Sequence, residues 1–319
     1  MKQSYNLSLS SEATKNLSLL DSVKGKIRRY LQQRSVLQHL LRIVLYVILL
    51  TMAFIYLAPL LVMVMNSLKD VEEIRNGSLL SLPQDPSLAA WSKAWGSACT
   101  GSTCEGIAPF FINSFKIVLP AVAISTILGA LNGYVLSMWR FKGSDLFFGL
   151  LLFGCFIPFQ VVLIPMAMTL GWLGLASSAG GLILVHVIYG MAFTTLFFRN
   201  YYVGLPRELI SAAKIDGAGF FLIFWRIILP LSPPIIVVTV IWQFTQIWND
   251  FLFGVVFSGA DNLPVTVALN NLVNTSFGGK EYNVDMAAAL LAALPTIVVY
   301  VFAGKYFVRG LSAGAVKGA

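Results

Sequence analysis

The chain has 319 residues, 57% of them hydrophobic and only 11% charged, with 22 Lys and Arg against 14 Asp and Glu. Soluble domains carry about 25% charged residues, so the composition excludes a soluble globular protein and describes a polytopic membrane protein. Three cysteines and two histidines, widely scattered, exclude a structural metal site.

Residues 1–20 are rich in Ser, Asn and Leu and have no clear period. From 21 to 42 the chain turns basic, with Lys24, Lys26, Arg28, Arg29, Arg34 and Arg42. Val23, Ile27 and Leu31 recur every four residues, which suggests a helix along the membrane surface. A plain solvated basic leader is compatible with that. A cleaved signal peptide does not fit, because the leader is too long and the next apolar stretch too extended.

A membrane span needs about 20 apolar residues. Residues 43–65 supply an uncharged run in which Pro59 suggests a kink, and 117–139 supply another. Between Asp145 and Arg199 no charged residue occurs. That stretch is too long for one helix, and its Gly- and Ser-rich part, 171–181, reads as the turn between two. A fifth span is expected over 227–249 and a sixth over 286–304. With the N-terminus in the cytoplasm, 17 Lys and Arg fall inside and 5 outside, which satisfies the positive-inside rule. Both termini and the 199–226 loop are then cytoplasmic, and loops 68–112 and 250–285 face outward. The positive charge serves topology, and no nucleic-acid partner is expected.

Cys99 and Cys104 lie in the first outer loop, where an oxidising periplasm allows either a small disulfide loop or two free thiols. Cys155 lies in a span and reads as packing. All fourteen acidic residues fall outside the expected spans, which argues against ion-coupled transport, since that commonly needs carboxylates within the membrane. No phosphate-binding G-x-x-x-x-G-K-[ST] occurs; Gly278-Gly279-Lys280-Glu281 fails the pattern. The chain has no catalytic constellation and no nucleotide site of its own. His186, alone in a span, reads as a hydrogen-bonded packing residue. Asn132, Tyr134, Gln160, Tyr189, Gln243, Gln246 and Asn249 are polar groups within spans, and in lipid they must face protein or a water-filled path.

One polar segment lies between two strongly apolar ones: Leu205-Pro206-Arg207-Glu208-Leu209-Ile210-Ser211-Ala212-Ala213-Lys214-Ile215-Asp216-Gly217-Ala218, running on to Ile227-Ile228-Leu229-Pro230. It reads as helix, tight turn, helix. Pro206 suits the first helical position, and Glu208 sits near the positive helix end. Asp216-Gly217 stops the helix, since glycine adopts the left-handed conformation cheaply, and a second helix can begin at Ala218. Such a hairpin is either an ordinary loop or a knob for another protein's cleft. In the second case the alanines let the partner approach closely. Gly217→Asp would then abolish the function that depends on this contact, by forcing a side chain and a charge into the bend.

This segment resembles the EAA loop of the ABC-importer permeases: Glu-Ala-Ala, three residues, Gly, about nine residues, then Ile-x-Leu-Pro. Ala212, Ala213, Gly217, Ile227, Leu229 and Pro230 match that spacing, while Ser211 replaces the leading Glu and Glu208 lies one turn earlier. Further motifs are similar to the carbohydrate-uptake permeases and appear in the same order. They include Asn113-Ser114-Phe115, Gly133-Tyr134-Val135-Leu136, Arg140-Phe141-Lys142-Gly143, Ile157-Pro158-Phe159-Gln160, Trp172-Leu173-Gly174-Leu175 and Trp248-Asn249-Asp250-Phe251-Leu252. The ending, 307–318, is typical of the second permease of such pairs.

The resemblance implies an all-α, six-span inner-membrane permease of the type I importer fold. Its leader is 1–42, its permease domain 43–308 and its cytoplasmic tail 309–319. It implies a second homologous permease, two copies of a cytoplasmic P-loop ATPase that carry ATP and Mg, a periplasmic sugar-binding protein and surrounding lipid. Glu208, Ser211, Ala212, Ala213, Asp216, Gly217 and Ala218 would form the ATPase-coupling loop. Sugars bind through hydroxyl hydrogen bonds and aromatic stacking, so Gln160, Tyr189, Trp242, Gln246 and Asn249 are the candidate substrate path, with Trp248 beside them. A glucose- or mannose-type sugar is the expected cargo, with polyols, disaccharides and glycerol phosphate compounds as alternatives. The rival class, a secondary transporter, would need ion-coupling groups or an internal repeat.

Overall fold

A computed structural model describes residues 38–315 except 140 and 276–278, with side chains described as far as 304. Most of the expected surface helix of the leader lies outside the described residues, as does Arg140. Among the described residues every regular element is helical, apart from one isolated bridge between Thr100 and Thr103. The chain divides into Met1–Val62 and Met63–Ala319. The first unit holds most of α1 (Gln38–Ser67), an apolar helix of 30 residues, long enough to cross a bilayer.

The second unit is built around α4 (Ala108–Met138) and α7 (Ala179–Val203), which pack along one another. Lipid supplies no hydrophobic drive between helices, so close backbone approach and interhelical hydrogen bonds must hold them. Gly129 and Gly133, four apart, share one face of α4. A Cβ on Gly129 would come 2.8 Å from the Thr194 carbonyl carbon, and one on Gly133 2.7 Å from the Arg199 amide nitrogen. At this seam Thr194 Oγ1 donates to the Ser125 carbonyl at 2.9 Å, and Asn132 Nδ2 donates to Thr195 Oγ1 at 3.3 Å.

α4 starts at Ala108, nine residues ahead of the expected span. Its extension has fixed partners: Ser114 Oγ accepts the Val265 amide at 2.8 Å, and Asn113 Nδ2 donates to the Asp261 carbonyl at 3.2 Å. Two expected spans are bent. α5 (Ser144–Phe156) and α6 (Phe159–Trp172) meet at 102°. Pro158 has no amide hydrogen and biases Ile157 to the extended backbone seen there, ψ 122°. The expected turn after α6 does form, with Gly174 at φ +70° and Ser178 capping α7. The span expected over 227–249 becomes α10 (Pro233–Trp248). Residues 227–231 instead end a preceding segment, Phe220–Leu231, inclined 80° to it. Four described helices are therefore long and apolar enough to cross, and six crossings result when each bent pair counts as one.

The two segments expected as long outer loops both contain short helices. α2 (Val71–Asn76) and α3 (Ala89–Gly96) precede α4, and α11 (Leu252–Phe257) and α12 (Val265–Asn274) follow α10. The last helix, α13 (Tyr282–Ala315), starts before the expected 286 and runs through the expected boundary at 309. Cys99 and Cys104 form a disulfide, and inside its loop the Gly101 amide donates to Thr275 Oγ1 at 3.0 Å. Lys69 is buried at 2% exposure, without a carboxylate partner among the described residues. Its ammonium donates instead to Asn66 Oδ1, the Ser78 carbonyl and Ser81 Oγ at 3.0–3.1 Å. Asn66 Nδ2 holds the Leu79 carbonyl at 2.8 Å, and Asn283 Nδ2 donates to the Lys69 carbonyl at 3.0 Å.

Two apolar cores result. One gathers Phe111, Leu182, Trp248, Phe257 and Ala287; the other gathers Tyr134, Phe198, Tyr202, Phe224 and Ile228.

Candidate functional site

The second core carries the polar hairpin. α8 (Arg207–Ile215) has Glu208 in its first turn and Lys214 in its last, both favourable for the helix dipole. Pro206 stands just outside the helix, with φ −60° and ψ 123°, so the first helical residue is Arg207. Ile210 and Ala213, three apart, face inward and are buried in the core with Phe198, Tyr202 and Phe224. Glu208, Ser211, Ala212 and Asp216 are exposed. The two alanines thus differ: Ala212 is available to a partner, whereas Ala213 is a core residue. Ser211 Oγ donates to the Arg207 carbonyl one turn back, at 3.1 Å.

The turn follows from its hydrogen bonds. The amides of Asp216, Gly217 and Ala218 donate to the carbonyls of Ala212, Lys214 and Ala213 at 2.9–3.1 Å. Closing the helix this way requires a left-handed residue, and Gly217 has φ +80°. Apart from its chain neighbours, no atom of the described residues lies within 4 Å of where its Cβ would be, so the bend is open space and the glycine is needed for its backbone. The second helix, α9 (Phe220–Ile223), starts two residues later than expected; Ala218 is half-buried and packs on the core. α9 continues through a π turn, Phe224–Ile228.

Between α7 and α10 lies a cavity of about 310 Å³, within the size range of small-ligand sites. Of the expected path residues, Tyr189, Trp242 and Gln246 line it, and Gln160 and Asn249 do not. Trp242 and Gln246 lie one turn apart on α10 and so share a face, whereas Asn249 is the residue that caps the end of that helix and Gln160 belongs to α6. Asn249 and Gln160 are exposed elsewhere. Trp248 is buried, with its indole nitrogen donating to the Ala292 carbonyl at 2.9 Å.

The lining also includes polar side chains outside the expected path, among them His186, Gln243 and Asp250. Gln243 Nε2 donates to the His186 carbonyl at 3.3 Å, while its buried Oε1 has no partner among the described residues. A Cβ on Gly190 would lie 1.8 Å from Gln243 Nε2, so only glycine lets this amide cross to α7. Asp250, just past α10, accepts from the amides of Phe253 at 3.4 Å and Gly254 at 3.1 Å, and its Oδ2 lies 3.9 Å from His186 Nε2. Burial pushes the Asp250 carboxyl up to about 6, against the backbone amides that pull it down. Neither Lys nor Arg lines the cavity among the described residues.

The model of the family described as "binding-protein-dependent transport system inner membrane component" matches residues 125–312, a stretch that contains the hairpin, α7 and α10. The chain belongs to this family. The permease is 47% identical over 180 residues to a probable ABC transporter permease of Pyrococcus horikoshii, covering 56% of this chain but only 65% of that relative's length. It is 33% identical over 285 residues to an osmoprotective compounds uptake permease of Synechocystis, covering 86% of this chain and 91% of the relative. An arabinooligosaccharides transport system permease of Bacillus subtilis is 30% identical over 278 residues, with 87% and 96% covered. The fold matches a chain in the crystal structure of a bacterial ABC transporter involved in import of the acidic polysaccharide alginate, at TM-score 0.73 and 23% identity. That match covers 84% of the permease and 97% of the solved chain. The permease is therefore an all-α, multi-pass inner-membrane transport subunit, not an enzyme.

Proposed function

We propose that the permease forms half of the translocation pathway of an ATP-driven carbohydrate importer, working by alternating access with a glucose- or mannose-type hexose as cargo. The observation that carries this reading is the hairpin: one face is sunk in a core and the other, Glu208, Ser211, Ala212 and Asp216, is left uncovered. A second, homologous permease would complete the pathway. Two copies of a P-loop ATPase, holding ATP and Mg, would seat the two hairpins, and a periplasmic sugar-binding protein would deliver the cargo. Both termini and the hairpin are cytoplasmic in this reading, on the 17 to 5 distribution of Lys and Arg. Tyr189 and Trp242 place aromatic rings along the cavity where a sugar can pack, and Gln246 adds an amide for hydrogen bonding. Relatives named for arabinooligosaccharides, alpha-glucosides and diacetylchitobiose support a carbohydrate cargo.

Uptake of labelled glucose, mannose, maltose and mannitol, with and without the gene, tests the cargo. Loss of glucose or mannose uptake alone supports the hexose reading, and loss of maltose or mannitol uptake alone replaces it.

Two substitutions probe the two halves of the site. Ser211→Glu should be tolerated, since position 211 is exposed and loses only a bond to its own helix; complete loss of uptake would mean that the partner's cleft has been rebuilt around serine. Asp250 governs pH dependence. Its folded value of about 6 is above the ordinary carboxyl value of 3.8, so its bound proton stabilises the fold fully below the lower value. That contribution is lost as pH rises through about 6. The cavity gains a negative charge as pH rises through about 6, so wild-type uptake should change between about pH 5 and 7 and Asp250→Asn should flatten the profile. An unchanged profile in the variant would remove Asp250 from the path.

A further inference from the structure

The reading of 207–223 as the coupling hairpin leaves open how its movement reaches the spans. Ile210 and Ala213 seat it through apolar contact, which is non-directional and permits rotation of α8 on the core. Directional contacts are found elsewhere, at the end of α4. Tyr134, fully buried one turn before that end, donates its hydroxyl to the Phe220 carbonyl at 3.3 Å. Its ring lies 4.9 Å from that of Phe220 and 5.5 Å from that of Phe224. Trp139, the residue that caps α4, sets its ring edge-on to Phe220 at 5.4 Å. The opposite arm of the hairpin reaches the same indole: Lys214 Nζ stands 3.9 Å over the Trp139 ring. Lys214 has no salt bridge among the described residues.

Both arms of the hairpin are thus fastened to one end of one helix, α8 through Lys214 and α9 through Phe220. α4 in turn is locked backbone to backbone against α7, which lines the cavity. We propose that Tyr134, Trp139 and Lys214 form a positioning clamp that fixes the orientation of the coupling helix on α4, so that displacement of the hairpin is delivered to α4 and α7 instead of being lost as rotation of α8. The clamp is distinct from the docking surface. Its residues face the permease's own body, and the exposed Ser211 and Ala212 remain for the ATPase.

The test uses the complete transporter reconstituted in vesicles, with ATP hydrolysis and sugar uptake measured on the same preparation and the co-purified ATPase quantified. An exposed cation–π contact supports a change of about 2- to 5-fold, so Lys214→Ala should lower sugar taken up per ATP by that factor. Co-purified ATPase should be unchanged, and Lys214→Arg should restore the ratio, because a guanidinium also stacks on indole. Trp139→Leu should show the same loss, and adding Lys214→Ala to it should cost nothing more, as expected of two partners in one contact. An unchanged ratio in Lys214→Ala, or additive losses in the double variant, overturns the clamp. Loss of ATPase from the Lys214→Ala complex also overturns it, since Lys214 would then be a docking residue. Failure of the coupling reading itself looks different: Gly217→Val would leave uptake, hydrolysis and co-purification at wild-type values.

Discussion

Replacing Gly217 by valine is expected to lower uptake by about 5- to 30-fold, the range set by roughly 1–2 kcal/mol for an L-residue in the left-handed region. The position has φ +80° and empty space around its missing Cβ. The penalty therefore falls on the backbone of the turn, not on crowding or charge as the sequence alone suggested. A specific order follows. Asparagine tolerates this conformation best, aspartate somewhat less well, and β-branched valine worst. Gly217→Asp should consequently be impaired but not the most severe variant. Uptake normalised to permease in the membrane reads the series directly. Equal activity across all three would show that the turn opens at no cost, and aspartate worse than valine would return the effect to charge.

The second large effect is expected at Gly133→Val. An added Cβ meets the Arg199 amide nitrogen at 2.7 Å and the Phe198 carbonyl carbon at 2.9 Å. These are backbone atoms and cannot rotate away, so α4 and α7 must separate. Overpacking of this kind costs about 1–3 kcal/mol, and the separation also endangers the Thr194–Ser125 bond in the same seam. The variant should accumulate poorly in the membrane, with a lowered midpoint of thermal unfolding in detergent. Gly149→Ala and Gly154→Ala are the controls, since nothing lies within 4 Å of either position. Wild-type levels and midpoint for Gly133→Val would mean that the two backbones do not touch.

The crossings were legible because lipid imposes one strict demand, a long uncharged run, and the chain shows it plainly. The ends and bends depend on tertiary contacts and were harder to read. Pro158 stood in view but was read as part of a motif, whereas its lost amide makes it the break between α5 and α6. The early start of α4 rests on Ser114 and Val265, 151 positions apart. In the hairpin, spacing located the helix and the glycine turn, yet the Ala212-Ala213 pair carries no local sign of which methyl faces the core. In the cavity, Tyr189, Trp242 and Gln246 were found by chemistry, and the i, i+4, i+8 spacing through Asp250 was there to be used. Asp250 was passed over because it lies beyond the expected span; α11 buries it by presenting the Phe253 and Gly254 amides.

The Lys69 corner bears on the order of assembly. The ammonium, its three acceptors and the Asn66–Leu79 bond involve only residues 66–81. Contacts this local form fast, since little loop entropy opposes them. During synthesis this corner can close once the first helix and the few residues behind it have emerged, some two hundred residues before Asn283 is made. Asn283 then finds the Lys69 carbonyl already presented. The berth for the last helix is among the earliest pieces of the permease to set, and the final helix arrives at a surface that does not have to be searched for.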